Sequence, residues 1–462
     1  MRGSCRAVYR SVMGTGYLDS DDDIAALATP QGTGALAVTR VAGPGCVERL
    51  ARVFSRPDVL RSAAGYAAVY GKVLDAALVP VDEVVAVVFR SPRSYTGQDG
   101  VDIMGHGGMA SPARVMDALM AAGFRLALPG EFTFRAFASG RIDLARAEAV
   151  DELVRARTAE AQADALERLG GGLSRQLDEL IGELVRLAAA CELRLDYGED
   201  EHPEDFAEAL PALGAVRKRC AELADSYAVG RLRDRGARVA LAGKTNAGKS
   251  SLFNRLLKEE RALVSAHPGT TRDYLEAELD LGGVPVVLVD TAGLRVTSDP
   301  VEEEGVRRTR LMAEGADLVV YVADGRHALD EDDHAVLAVH PGAVLVWNKI
   351  DDPEALPAPA DWLPVSARDG TGERQLGAAI ARALGASAGE ARLRVASKRQ
   401  HDALARARDA LTDAERAFLD GEPLDAVAVD LAVALDALRG IGGKTGSDDV
   451  LEALFSNFCV GK

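Results

Sequence analysis

Apolar positions fall into stretches of different period along this chain, and each change of period predicts a different kind of structure. From about Asp22 to Gly140, short apolar runs such as Ala35–Val41 and Val84–Phe89 alternate with Gly and Pro, the pattern of strands in an α+β region. From Arg141 to about Asp196 the spacing turns helical. Leu177, Leu180, Ile181, Leu184, Leu187, Ala188 and Cys191 recur at i, i+3, i+4, i+7, i+10, i+11 and i+14, one apolar helix face. Cys191 on such a face reads as a buried thiol. Between about Arg238 and Ala386, the apolar runs Val239–Ala242, Val284–Val289, Leu318–Val322 and Ala343–Trp347 alternate with helical or loop segments, which predicts a doubly wound parallel sheet. After Ala391 the helical period returns, with Leu424, Val427, Ala428, Leu431, Ala434, Leu435 and Leu438 repeating the earlier spacing.

The expected architecture is therefore multidomain α/β. Residues 1–21 read as a disordered leader or as a product of start-codon choice, since Met13 offers a second start. Residues 22–140 form an N-terminal α+β domain, 141–235 a first helical part, 236–390 an inserted α/β domain, and 391–462 a second helical part. One helical bundle is split in sequence by the insertion. The length of 462 residues suits about three domains, each able to bury a core.

Charge and cysteine usage narrow the classes. With 54 Lys+Arg against 71 Asp+Glu, a net charge of −17 argues against a chain whose main task is coating nucleic acid, although a partner can supply positive charge. No run of eighteen apolar residues occurs, so no membrane span is expected. The five cysteines are scattered, with no CxxC pair, which points away from a disulfide framework or zinc site and toward a reducing cytoplasm.

The strongest chemistry lies at Gly243-Lys-Thr-Asn-Ala-Gly248-Lys249-Ser250, between the run Val239–Ala242 and the helical segment Ser251–Leu257. Glycines let the backbone curl with its N–H groups around phosphates, Lys249 reaches the β/γ-phosphates, and Ser250 takes Mg²⁺. Four further elements follow in order. Gly269-Thr270-Thr271-Arg272-Asp273 can bring a Thr hydroxyl to the same Mg²⁺. Asp290-Thr291-Ala292-Gly293 ends an apolar run, so the carboxylate can hold Mg²⁺ while the Gly N–H meets the γ-phosphate. Asn348-Lys349-Ile350-Asp351 offers a carboxylate to the N1–H and exocyclic amine of guanine, a donor pair that adenine lacks. Ser366-Ala367, after Trp362–Val365, completes the base wall. Together they describe a guanine-nucleotide hydrolase domain with GTP and Mg²⁺ as ligands.

How water is activated stays open at this level. Leu294 stands where Ras-type proteins carry Gln and cannot orient water. Glu302, Glu303 and Glu304 offer carboxylates nearby; for Glu303 and Glu304 a solvated helix start is the simpler reading. Asn246 can hold a monovalent cation beside the β/γ-phosphates, or can serve only as a residue that tolerates the turn.

From about Asp22 to Lys462 the chain resembles the MnmE (TrmE) family of tRNA modification GTPases. The resemblance rests on Ile24–Pro30 (IAALATP), Ser94–Gly97 (SYTG), His106–Gly108, Pro129–Thr133 (PGEFT), Arg135–Phe137, Asp143–Leu144 with Ala147–Val150, Asn246–Ser251 and Asp290–Arg295. The tail Phe455–Lys462, ending C-x-G-K, is its most diagnostic piece. The resemblance implies a Ras-like P-loop G domain inserted in a discontinuous helical domain. It also implies an N-terminal domain that dimerises and binds a tetrahydrofolate derivative, the 5-formyl or 5,10-methylene form, through Arg40, Asp102, Arg141 and Lys462. Asp102 stands where the family usually has Glu, Arg141 where Lys is common, Gln98 where the family has an acidic residue, and Thr33 where Arg is frequent.

The resemblance further assigns K⁺ to Asn246 with Ser265, His267 and Thr270, Mg²⁺ to Ser250, Thr271 and Asp290, and water orientation to Glu302. The nucleotide set becomes Gly243, Asn246, Ala247, Gly248, Lys249, Ser250, Ser251, Ser265, Thr270, Thr271, Asp290, Thr291, Ala292, Gly293, Asn348, Lys349, Asp351, Ser366 and Ala367. Cys459 is implied to matter, either through thiolate chemistry near the one-carbon group or structurally. The implied assembly is a homodimer joined by an FAD-dependent MnmG-like protein in a heterotetramer, with tRNA as substrate and no membrane. The alternative is a GTP-switched RNA-binding factor in ribosome assembly, like the Era or Der proteins, which would need an RNA-binding appendage; no GxxG loop in a KH setting follows Ala391.

Overall fold

The computed structural model describes residues 22–197, 210–259, 276–290, 315–385, 393–443 and 448–462. The chain divides into two compact units, one formed by the segment through Asp151 together with Leu438–Lys462, the other by Glu152–Ala437. The expected leader at residues 1–21 lies outside the described residues.

The first unit is built on a six-stranded sheet of order β3-β4-β5-β2-β1-β6. Its strands are β1 (Ile24–Leu27), β2 (Leu36–Ala42), β3 (Ala67–Leu74), β4 (Pro80–Phe89), β5 (Gly100–His106) and β6 (Arg125–Leu126). Neighbours are antiparallel except β1 and β6. Alternation assigns the two faces. Val84, Ala86, Val88, Val101 and Ile103 point into a core with Leu50, Phe54 and Leu119, so Val38, Arg40, Val85, Asp102 and Met104 fall on the opposite face. The strand β4 begins earlier than the apolar run Val84–Phe89, because its first part carries the consecutive carboxylates Asp82 and Glu83 and so breaks the apolar run. There Glu83 sits opposite Lys72 and pairs with it at 3.0 Å.

The tail belongs to this unit. The grouping of 391–462 with the helices therefore divides at Leu438. Phe455 and Phe458 pack with Phe134, Leu144, Ala147 and Leu451, and Phe455 meets Phe134 edge-on at 5.4 Å. Val460 bridges Pro129, Gly130 N donates to Cys459 O at 3.3 Å, and Phe132 N donates to Lys462 O at 3.1 Å. At Gly461 (φ +94°) a Cβ would lie 2.9 Å from Leu27 O, so only glycine lets the tail approach β1 this closely.

The PGEFT motif supplies this unit's buried ionic hub. Glu131, fully buried, accepts from Arg125 Nη2 at 2.7 Å, Arg135 Nη2 at 2.8 Å and Leu128 N at 2.8 Å. Arg135, itself buried, also donates to Asp22 O at 2.8 Å.

The second unit holds a six-stranded sheet of order β12-β11-β10-β7-β9-β8. Its strands are β7 (Ala237–Ala242), β8 (Glu276–Leu281), β9 (Val284–Asp290), β10 (Leu318–Asp324), β11 (Val344–Asn348) and β12 (Leu363–Val365). Every sequence-predicted run falls on a strand. The sheet is not wholly parallel, because β8 pairs antiparallel with β9 through a tight Gly282-Gly283 turn with φ of +64° and +84°. Only alternate positions of the β8 sequence EAELDL are apolar, which is why a search for apolar runs passes over it. Before and after the sheet run the helices Gly172–Tyr197, Leu210–Asp225 and Lys398–Leu419, the last packed on Leu210–Asp225. Cys191 is buried, and its thiol donates to Leu424 O at 3.4 Å.

Candidate functional site

The C-terminal ends of β7, β9, β11 and β12 carry those predicted nucleotide residues that the structure describes, at the point where the strand order reverses around β7. Close backbone approach explains the glycines. A Cβ on Gly243 (φ +137°) would lie 2.1 Å from Val322 O, and one on Gly248 (φ +94°) 2.2 Å from Asn348 Nδ2. The helix Lys249–Glu259 starts at the loop's end and aims its N-terminal N–H groups into the curl. Lys249 is buried and its Nζ donates to Gly243 O and Lys244 O, each at 2.7 Å. Ser250 and Ser251 are exposed on the first turn, and Asn246 is exposed on the rim at φ +65°.

The base-recognition side is already wired to this loop. Asn348 Nδ2 donates to Ala247 O at 2.7 Å, while its Oδ1 accepts from Ala367 N at 3.1 Å. One buried amide thereby joins the phosphate loop to the base wall. Lys349 (φ +67°) donates to Asn246 O at 2.6 Å and to Asp324 Oδ2 at 2.7 Å. Asp324 is also gripped by Arg326, and that hydrogen bond, ahead of the one from Lys349, holds its carboxyl well below the usual carboxylate range. Ser366 Oγ donates to Asp351 Oδ1 at 2.7 Å, which fixes the carboxylate predicted to read guanine. Asp290 closes β9 opposite Leu241. Ser265, His267, Thr270, Thr271, Thr291, Ala292, Gly293 and Glu302 lie outside the described residues.

The first unit contains a small open recess lined by Arg40, Phe89, Ser94, Tyr95, Thr96, Asp102 and Phe132 among others. Arg40 and Asp102 face each other across β2 and β5 and form a two-pronged pair at 2.8 and 3.1 Å. The Arg40 guanidinium stands 5.9 Å from the centre of the Phe132 ring. Tyr95 Oη and Thr133 Oγ1 share a hydrogen bond of 2.9 Å. The tail closes in from the side, where Arg40 Nη1 reaches Gly461 O at 3.5 Å. Lys462 is half-buried next to Arg40, and no side-chain carboxylate of the described residues pairs with it. Burial, then the neighbouring Arg40 charge, lowers its ammonium pKa.

Of the other sequence-predicted residues, Arg141 is exposed beside Gly97 and does not line the recess. Cys459 is exposed, a free thiol in the same turn as Lys462. The aromatic lining of Phe89, Tyr95 and Phe132 was not singled out from the sequence. Its signal was present in the motifs SYTG and PGEFT, which mark the segments without saying which side chains turn inward.

Comparison with known proteins identifies the family. A family model described as the MnmE helical domain matches residues 144–459, and one described as the GTP-binding protein TrmE N-terminus matches residues 23–141. The tRNA modification GTPase MnmE of Thermus thermophilus is 44% identical over 446 residues, covering 96% of this chain and 99% of that protein. The protein of the same name from Treponema denticola is 39% identical over 472 residues, covering 97% of this chain and all of its own length. That from Roseiflexus sp. is 42% identical over 465 residues, covering 96% and 99%. With a guanine-nucleotide site at its strand ends and relatives matched from end to end, this chain is a P-loop GTPase and belongs to the MnmE (TrmE) family of tRNA modification GTPases.

Proposed function

We propose that this chain is the GTP-hydrolysing component of a cytoplasmic complex that builds an aminomethyl or carboxymethylaminomethyl group on carbon 5 of the tRNA wobble uridine, together with an FAD-dependent MnmG-like partner. The observation that carries this reading is the coexistence on one chain of a prewired guanine site and a separate aromatic recess flanked by two cations. A tetrahydrofolate derivative fits the second site chemically. Phe89 and Tyr95 offer aromatic surface, Asp102 a carboxylate for pterin donors, and Lys462 a cation for the anionic glutamate. Because Arg40 is already engaged by Asp102, Lys462 carries the anion-binding role and Arg40 orients the carboxylate.

At the nucleotide, Ser250 and Asp290, with Thr271, would hold Mg²⁺, which supplies charge neutralisation at the phosphates when bound. Asn246, exposed on the loop rim, would hold K⁺ with Ser265, His267 and Thr270, and Glu302 would orient water. Two G domains meeting across these loops would complete each other's site. Homodimerisation through the first unit fits its unpaired sheet face. There the exposed Tyr70, Val85 and Met104 form one cross-strand row with Val38, next to the Arg40–Asp102 row.

Hydrolysis drives conformational change rather than carbon chemistry, and the helix Ala159–Leu169 is built to pass that change on. Thr158 caps it, accepting from Ala161 N and donating to Gly283 O at the tip of the β8–β9 turn, 3.0 Å away. Arg157 ties Glu278 of β8 at 2.9 Å to Arg235 O, just before β7, at 2.7 Å. Asp164 grips both Arg233 at 3.1 Å and Arg394 at 3.3 Å, so segments leading into and out of the α/β sheet converge on one helix.

The test is nucleoside analysis of tRNA from a strain lacking this chain. Wobble uridines should lose the carbon-5 group, and unchanged wobble uridines sink the reading. GTP turnover should also rise in K⁺ relative to Na⁺, with Asn246→Ala flattening the difference.

A further inference from the structure

The phosphate loop contains a second lysine that the nucleotide chemistry leaves unassigned. Lys244 follows Gly243 and points away from the helix Lys249–Glu259. Its ammonium pairs with Asp330 and, at 2.9 Å, with Asp333 Oδ2. These two carboxylates open the helix Glu331–Val339: Asp330 caps it, and Asp333 accepts from the Asp330 backbone N–H at 2.9 Å. Asp333 is buried and also accepts from Tyr321 Oη of β10 at 2.6 Å. Burial, then that hydrogen bond, pushes the phenol pKa up, so Tyr321 stays a donor to Asp333.

The backbone of Lys244 has its own task. Lys249 Nζ is aimed by two carbonyls, Gly243 O and Lys244 O. At Gly243 the backbone runs so close to Val322 O that no side chain fits. Within the loop the Lys244 carbonyl also accepts from Ala247 N at 3.3 Å, and the Lys244 side chain is what ties that turn to the helix Glu331–Val339. We infer that Lys244 is a positioning residue for GTP hydrolysis, holding the loop carbonyls that aim Lys249 at the phosphates by clamping the loop to Asp330 and Asp333. It touches no phosphate itself.

A surface ion pair without this role would be worth little, and the two alternatives separate experimentally in the full-length chain with Mg²⁺ and K⁺ present. Lys244→Gln should lower kcat/KM for GTP roughly tenfold or more, as expected when a reacting group is misaimed. The melting midpoint and the preference for GTP over ATP should stay as in the wild type, because the guanine clamp is untouched. Lys244→Arg, which keeps the clamp, should restore most of the rate. Asp333→Asn should behave like Lys244→Gln, and the double variant should be no slower than either single one. Wild-type turnover in Lys244→Gln overturns the inference. So does a loss that arginine does not restore, or one that tracks a fall in melting midpoint, since either would make Lys244 a fold contact alone.

Discussion

The nucleotide site and the recess of the first unit, which we propose holds a folate, are built in opposite ways. The nucleotide site is made of short contiguous motifs, each at a strand end, and its polar groups bond to one another before any ligand arrives. Asn348 already spans Ala247 O and Ala367 N, and Ser366 already holds Asp351. The recess is assembled from distant segments, its extreme being a hydrogen bond between residues 421 apart, from Arg40 to Gly461. It also leaves Lys462, half-buried, with no side-chain carboxylate partner among the described residues. A wired site gives selectivity at little reorganisation, whereas a cation without a carboxylate gives affinity for whatever neutralises it.

The sharpest way to break this comparison is to remove the recess while sparing the nucleotide site. Glu131→Gln leaves the buried Arg135 and the half-exposed Arg125 with Asp22 as their remaining carboxylate partner, and should destabilise the first unit by about 3 kcal/mol, read by denaturant unfolding. GTP affinity should be unchanged; a parallel loss of GTP binding would mean the sites are not separable. Next comes the guanine clamp. Asp351→Asn should weaken GTP roughly a hundredfold and favour xanthosine triphosphate, whose carbon-2 carbonyl accepts from the new amide, leaving folate binding intact.

Lys462→Met should weaken a reduced folate roughly tenfold by losing one charge-assisted bond, measured by calorimetry with 5-formyltetrahydrofolate. The pH dependence gives its sign. Because the folded pKa of Lys462 lies below 10.5, the cation is lost earlier than for a free lysine as pH rises. Folate affinity should therefore fall on an alkaline limb with its midpoint below 10.5, and the limb should vanish in the methionine variant. The smallest effect is expected at the linking helix. Thr158→Val keeps the shape but removes the donor to Gly283 O, so GTP turnover should hold while tRNA modification per GTP falls a few-fold, roughly one lost hydrogen bond. Equal losses of both would place Thr158 in the G-domain fold instead.

The difference in construction also sets what could be read in advance. Every apolar run assigned to a strand lies on one, and the helical faces around Cys191 and Leu431 are buried along their centres, with Ile181, Ala188, Leu424 and Ala428 half-buried. Local glycine chemistry made the phosphate loop legible because its geometry follows from a few adjacent residues. The strand β8 was passed over because an edge strand is apolar only at alternate positions.

By itself, then, the sequence determined the two sheets, the helical segments, the guanine-nucleotide chemistry and the family, since all of these depend on period and on motifs that are short in sequence. Only the tertiary structure decided that the C-terminal tail folds onto β1, that Arg40 and Asp102 neutralise each other and leave Lys462 the available cation, and that Lys244 leans on Asp333. Those facts depend on which distant side chains meet. Meeting is governed by the packing of faces and the desolvation of charge, neither of which is encoded in local spacing.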